Sequence, residues 1–277
     1  MIDLHTHSDA SDGELSPSDL VSFAAESGLA VMALTDHDTM SGLEEAERRA
    51  GEVGIRFIPG VETEVDFSPG EFHLLGLGMK RYPDGPLEEF LEEIRRRRVA
   101  RNEEMISLMN TAGLPLAMET LAALAGGEVI GRMHFARWLI DEGWAANVPD
   151  AFERWLGPGR PFYVPKNPPT LEESLTAIKA AGGKSVVAHP LSLWISWGRL
   201  AKYLPEWREM GLDGLEALHS GASKREAERL RTLSETTGMF VTGGSDFHGT
   251  GRPDRKLGYG AGGAALDEGL LAPFSDA

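Results

Sequence analysis

The chain has 277 residues, 42% of them apolar, no cysteine and a formal net charge of −16 at pH 7. That is enough apolar content for one large domain, or one domain carrying an insertion, while the lack of cysteine excludes disulfides and leaves any metal to His, Asp and Glu. The acidic balance argues against binding of long duplex nucleic acid, whose affinity rests on neutralising phosphates, and no apolar run approaches the ~18 residues of a membrane helix. A cytoplasmic address is expected, and a small phosphorylated substrate is compatible with the charge because bound divalent cations make a local positive centre.

In chain order, Ile2, Leu4 and Thr6 alternate with Asp3, His5 and His7, which predicts a strand over 2–7 with both imidazoles on one face, in reach of a single ion. A helix is expected from Ser16 to Ser27, opened by Ser-Pro and stopped at Gly28, then a strand from Ala30 to Thr35 that runs into the turn TDHDT. A second helix from Ser41 to Ala50 follows. The strands expected from Arg56 to Val65 and from Phe72 to Gly78 are separated only by a short Ser68-Pro69-Gly70 link, too short for a crossover helix, so they read as a hairpin. From about Lys80 to Pro165 the alternation gives way to amphipathic helical stretches such as Leu87 to Thr111 and Leu116 to Leu124. Within the first, RRRRVAR is flanked by Glu92, Glu93, Glu103 and Glu104 at helical spacing, which predicts an ion-paired solvent face. The alternation resumes with a helix from Leu171 to Ala181, strands from Ser185 to His189 and from Gly214 to His219, a helix from Lys224 to Thr236 and a strand from Met239 to Gly243. Leu257 to Ala277, rich in Gly and Ala, reads as a poorly ordered tail.

About seven strands alternating with helices predict a TIM-like barrel. His5, His7, His37, His73, His189, His219 and His248 all fall on or just past a strand, as do Asp12, Asp36, Glu62, Glu216 and Asp246. In a barrel the strand ends converge on one mouth, and mixed nitrogen and oxygen donors there suit more than one hard or borderline cation. Taken singly, TDHDT also reads as a helix cap, His73 as a buried hydrogen-bonded imidazole and His189-Pro190 as a strand terminator; together they point to a metal centre.

The motifs HTHSDASDG, TDHDT, PGVE, AHP and GSDFH, in this order, resemble those of the PHP domain family, the polymerase and histidinol phosphatase superfamily of metal-dependent phosphoesterases. The resemblance covers Met1 to about Lys80 and Leu171 to about Gly249. It implies an α/β fold, a distorted (β/α)7 TIM-like barrel with a helical insertion: residues 1–79 and 166–277 as the metal-binding barrel and 80–165 as a substrate cap. It also implies two to three divalent ions (manganese, zinc or iron), one held by His5, His7, Glu62 and Asp246, a second by Glu62, His73 and His189, and a third by Asp12, His37 and His248. Asp12 stands where many members carry histidine, which bears on the third site.

Two stretches in the insertion, GRMHFARWL and PFYVPK, are similar to the branch of the family that hydrolyses nucleoside 3′,5′-bisphosphates and, in some members, trims short RNA from the 5′ end. The resemblance implies that Arg132, His134 and Lys166 grip phosphate oxygens. The chemistry of a charged phosphorus leads to the expectation that a hydroxide held by the ions near Glu62 and Asp246 attacks in line without a phosphoenzyme, with His219 or His248 helping to protonate the leaving alkoxide. A histidinol-phosphate-type phosphatase, an amidohydrolase and a non-catalytic metal-binding module are the alternative readings.

Overall fold

The computed structural model describes residues 1–82, 84–125 and 129–275. The chain divides into two compact units, Met1–Glu92 with Pro168–Ala277, and Glu93–Asn167.

The first unit is built from seven strands in sequence order: β1 (Ile2–Asp3), β2 (Val31–Leu34), β3 (Arg56–Val65), β4 (Phe72–Leu77), β5 (Lys184–Val187), β6 (Gly214–His219) and β7 (Phe240–Gly244). Neighbours pair in parallel except β4, which is antiparallel to both β3 and β5. The ring closes where Leu4 N donates to Gly243 O at 3.3 Å, Asp246 N to His5 O at 2.9 Å and His7 N to Phe247 O at 2.9 Å. The hairpin expected between β3 and β4 is present, and it inverts β4 relative to a regular TIM barrel.

The strand expected over 2–7 is regular only at Ile2–Asp3. Beyond it Asp3 Oδ1 accepts His5 N at 3.3 Å, a local bond that competes with sheet pairing. Along β3, Ile58 and Glu62 share a face, and the register pairs Glu62 with Leu75, so His73, Leu75 and Leu77 of β4 lie on that same face. Apolar residues therefore collect at one end, where Ile2, Ala33, Ile58, Leu75, Leu77 and Val186 form one buried cluster, and acids and histidines collect at the other.

Helices supply the outer wall. α1 (Pro17–Glu26) begins at Ser16, whose hydroxyl accepts Asp19 N at 3.1 Å, and buries Leu20, Val21 and Ala24. α2 (Leu43–Val53) stops at Gly54 in the left-handed region, which a residue without Cβ enters at no steric cost. α3 (Pro86–Thr111) runs from the first unit into the second, where α4 (Met118–Ala125), α5 (Arg132–Asp141) and the short α6 (Val148–Ala151) follow. That second unit has its own core, with Met105, Met109, Leu121, Phe135, Leu139 and Phe162 buried together. Arg96 and Arg97 on α3 pair with Glu93, as the charge spacing predicted.

Back in the first unit, α7 (Leu171–Ala180) and α9 (Lys224–Thr237) open with reciprocal caps, Thr170 with Glu173 and Ser223 with Glu226. Between them lies α8 (Trp197–Met210), which the sequence reading did not place; it carries Pro205 inside. Among the described residues, no helix is long and apolar enough to cross a membrane.

The C-terminal stretch corrects the sequence expectation. Instead of a loose tail, Leu266, Leu270 and Phe274 join the apolar cluster of the barrel, Ile2 N donates to Leu266 O at 3.2 Å, and Phe274 meets Phe240 edge to face at 5.7 Å. Its glycines serve close approach: a Cβ on Gly260 would lie 2.2 Å from Leu218 O. Asp276 and Ala277, the end of that stretch, lie outside the described residues.

Candidate metal centre

Glu62 is the hub. Its carboxylate is buried, and five imidazoles surround it: His73 Nδ1 and His189 Nε2 each 3.0 Å from Oε1, His5 Nε2 and His7 Nε2 each 3.2 Å from Oε2, and His37 Nδ1 3.3 Å from Oε2. The inversion of β4 explains His73. It sits near the start of its strand, which in an all-parallel barrel is the closed end, yet here it pairs with Glu64 near the end of β3 and so reaches the mouth. Burial disfavours the charge on Glu62, but the surrounding histidines outweigh it and hold the carboxyl well below its usual range.

Asp246 completes the first group. Its Oδ1 lies 3.6 Å from His5 Nε2, 3.3 Å from His7 Nε2 and 3.4 Å from His248 Nδ1, and its backbone sits at φ 56°, a strained conformation for a non-glycine residue. His189 is similarly strained at φ 28°. Beside this group His37 Nε2 is 3.8 Å and His248 Nε2 3.4 Å from Asp12, with His7 alongside. All nine residues singled out from the sequence as metal ligands thus gather at one end of the barrel.

Whether divalent ions fit can be judged from the donors. Donors on a tetrahedral ion with bonds of about 2.0–2.1 Å lie roughly 3.4 Å apart, and the nitrogens of His5 and His7, 3.1 Å apart, have that kind of spacing to each other, to Glu62 and to Asp246. Several tautomers are fixed from outside. Ser192 Oγ commits its proton to Glu71 O, so His189 Nδ1 must donate to it at 2.9 Å, leaving Nε2 to face Glu62. His248 Nδ1 donates to Asp246 O at 2.8 Å and so leaves Nε2 bare toward Asp12. His7 Nδ1 is buried without a hydrogen-bond partner, as an atom set aside for a cation would be. The donor set fits divalent ions.

His219 differs from the others. Gly221 N donates to its Nδ1 at 3.0 Å, so the proton is on Nε2, which donates to Asp246 Oδ2 at 3.3 Å. Burial lowers its pKa to about 4, and the occupied Nδ1 disfavours the imidazolium as well. The group is a neutral hydrogen-bond donor. Burial pushes His248 down as well.

Asp36, grouped with the candidate ligands by its place after a strand, does not face the cluster. It accepts Ser8 N at 2.8 Å, Ser8 Oγ at 2.7 Å and Ser11 Oγ at 2.6 Å, and so braces the turn that carries Asp12. In the second unit, Arg132 lies over the rings of Phe152 and Tyr163 at 5.5 and 5.8 Å, His134 Nδ1 accepts Gly131 N at 3.0 Å at the start of α5, and Lys166 is exposed.

Three residues of the barrel unit have roles that the sequence did not assign. Glu216 was grouped only loosely with the ligands, but its two oxygens meet His5 Nδ1 at 3.0 Å and His189 N at 2.7 Å. A Cβ on Gly244 would lie 2.8 Å from that carboxylate and 2.2 Å from His5 Cβ, so glycine is required there. Asp3 is buried and accepts Ser245 N at 3.0 Å, Ser245 Oγ at 2.6 Å and Gly258 N at 2.7 Å. Arg255 pairs with the Asp246 carboxylate. The charged run GRPDRK directly after GSDFHGT was the available signal for it. A cavity of about 340 Å³ opens over the cluster, lined by Asp12, Glu62, His73, Asp246, Arg252 and Arg255 among others.

Residues 3–155 match the model of the PHP domain. The chain is 37% identical over 247 residues to a 5′-3′ exoribonuclease of Haemophilus influenzae, covering 89% of both chains. It is 34% identical over 260 residues to a 3′,5′-nucleoside bisphosphate phosphatase of Chromobacterium violaceum, covering 93% of this chain and 90% of the other. Among solved structures it resembles an amidohydrolase from Chromobacterium violaceum with bound sulfate and no metal, with a TM-score of 0.77 at 32% identity over 96% of this chain and 91% of that one.

Proposed function

The chain belongs to the PHP family, and from that premise we propose that it is a metal-dependent phosphoesterase that removes the 3′-phosphate of nucleoside 3′,5′-bisphosphates and works in the cytoplasm. The observation that carries the reading is the buried Glu62 carboxylate meeting five imidazoles, three on one oxygen and two on the other. A carboxylate so placed could ligate an ion through each oxygen.

His5, His7, Glu62 and Asp246 would hold one ion; Glu62, His73 and His189 a second; Asp12, His37 and His248, with His7 beside them, a third. Divalent ions held there lower the pKa of water toward about 7 and neutralise phosphoryl charge. The rest falls to the chain. His5, His189 and His248 commit a ring proton on Nδ1 to Glu216, Ser192 and the Asp246 carbonyl, so their Nε2 lone pairs would be free to face an ion. His219 offers its Nε2 proton as a hydrogen bond to the charge that develops on phosphoryl or leaving oxygens. The proton that neutralises the leaving alkoxide would pass through His219 or His248.

For Arg132, His134 and Lys166, a share in phosphate binding rests on the motifs GRMHFARWL and PFYVPK; Lys166→Ala would then raise KM for the bisphosphate about tenfold or more. The exoribonuclease name of the 37% identical relative supports a second reading, removal of nucleotides from the 5′ end of short RNA.

The test is an assay of the manganese-loaded protein on adenosine 3′,5′-bisphosphate, 5′-nucleotides, histidinol phosphate, a short 5′-phosphorylated RNA and an amide. Fastest phosphate release from the bisphosphate is expected. A protein that carries stoichiometric metal and releases phosphate from none of these is a binding module, and amide cleavage alone would make it an amidohydrolase.

A further inference from the structure

We propose that Arg255, with Arg252 beside it, is the cationic clamp by which the barrel unit itself grips a dianionic phosphoryl group; the inference rests on the phosphoesterase reading. Five carboxylates line the cavity over the cluster: Asp12, Glu62, Glu71, Glu216 and Asp246. An entering phosphate dianion meets a wall rich in carboxylates. Arg252 and Arg255 are the only lysine or arginine side chains in that lining among the described residues. A guanidinium also presents a planar fork of donors that matches two phosphate oxygens at once.

Arg255 is held in place for this role. The segment that carries it is fastened at both ends: Thr250 N donates to Glu14 Oε2 at 2.7 Å, and Gly258 N to Asp3 Oδ2 at 2.7 Å. Arg255 N closes a turn onto Arg252 O at 3.0 Å, and Leu257 is buried. Asp3 also binds Ser245, the neighbour of Asp246, so one buried carboxylate ties the segment to the strand end that carries the candidate ligand. Preorganised donors of this kind lose little freedom on binding.

Occupying the Asp246 oxygens does not by itself account for the arginine. That carboxylate already has His5, His7, His219 and His248 within 3.6 Å. The guanidinium contacts the Asp246 carboxylate and, at 3.3 Å, the Asp246 carbonyl oxygen, which occupies part of its five-donor set. With its side chain 24% exposed on the cavity wall, it has donors left for an incoming anion.

The experiment uses the full-length, manganese-loaded protein and the variants Arg255→Ala, Arg255→Lys and Arg252→Ala. Calorimetry measures binding of inorganic phosphate, steady-state kinetics give KM and kcat for adenosine 3′,5′-bisphosphate, and elemental analysis gives metal content. Arg255→Ala should weaken phosphate binding and raise KM at least tenfold at unchanged metal stoichiometry and melting temperature. Arg255→Lys, which keeps the charge and loses the fork, should fall between, and Arg252→Ala should show a smaller loss. Unchanged phosphate affinity in both alanine variants would overturn the clamp while leaving the phosphoesterase reading intact. So would a loss of phosphate affinity that tracks lost metal and is restored by saturating manganese, since Arg255 would then only position Asp246. A wild-type protein with full metal that hydrolyses no phosphate ester removes the phosphoesterase reading, and the clamp with it.

Discussion

Glu216 accepts the Nδ1 proton of His5 at 3.0 Å, and neither side chain is exposed to solvent. A carboxylate can only accept, so this bond forces the proton onto Nδ1 and turns Nε2 toward Glu62 and Asp246. The other Glu216 oxygen accepts His189 N at 2.7 Å. Glutamine at this position would present an amide N–H to one of two donors. Glu216→Gln should weaken manganese binding by about 10- to 100-fold with the fold retained, because outer partners of metal-bound imidazoles carry that much affinity. Competition against a chelator of known affinity reads the change; a shift of less than twofold would show that Glu216 is only a packing residue.

Metal binding should release a proton. Burial alone would lower the pKa of His5, but the Glu216 and Glu62 carboxylates outweigh it and raise it from 6.5 to about 10. In the metal-free protein His5 is therefore charged at neutral pH, and an ion must displace its Nε2 proton. Affinity should rise with pH from 7 toward 10. The sign for stability is the opposite: a folded pKa above the unfolded value stabilises fully below about 6.5 and is lost as pH rises through about 10. Metal-free protein should melt at lower temperature at pH 10 than at pH 7. Calorimetric titrations of manganese in buffers of different ionisation enthalpy check the release, and buffer-independent heats would contradict it.

Asp246→Asn keeps the shape of the side chain and removes its charge. Turnover should fall by at least a thousandfold while the melting temperature stays within a few degrees, since the loss is of charge at the reacting centre and not of packing. Near-normal kcat in this variant would dismiss Asp246 from the chemistry.

Phe274 is fully buried against Phe240 at the apolar end of the barrel. Phe274→Ala should cost about 3–5 kcal/mol of folding stability. Activity of the folded fraction, measured well below the melting transition, should be unchanged, because the acids and histidines occupy the opposite end. Denaturant unfolding followed by tryptophan fluorescence supplies the number; a cost under about 1 kcal/mol would return the C-terminal stretch to the status of a loose tail.

Much of the barrel was legible because its signals are local. The β3 and β6 boundaries coincide with their apolar runs, Gly28 stops α1 as expected, and the short Ser68-Pro69-Gly70 link foretold the hairpin, whereas α2 runs past its expected end at Ala50 to Val53. The misses share a cause. Pro205 hid α8, because a proline inside a helical pattern argues for a break when no packing partner is known. The glycines near the C-terminus suggested disorder, when Gly260 instead makes room for backbone contact with Leu218. In neither case does the residue type alone tell a flexible segment from a closely packed one.

The sequence by itself determined which side chains bear chemistry: with no cysteine, donors are confined to imidazole and carboxylate, and their recurrence at strand ends implied convergence. The tertiary structure decided what each one does. Glu62 became a hub because β4 is inverted and brings His73 to the mouth. Asp36 became a brace because Ser8 and Ser11 claim its oxygens. His219 became a neutral donor because Gly221 N occupies its Nδ1. Arg255 reached the cavity because buried Asp3 pins the segment that carries it. A donor's identity is written in its side chain, but its direction and protonation depend on partners as far as 255 residues away along the chain, as Gly258 is from Asp3, and only folding brings them within 3 Å.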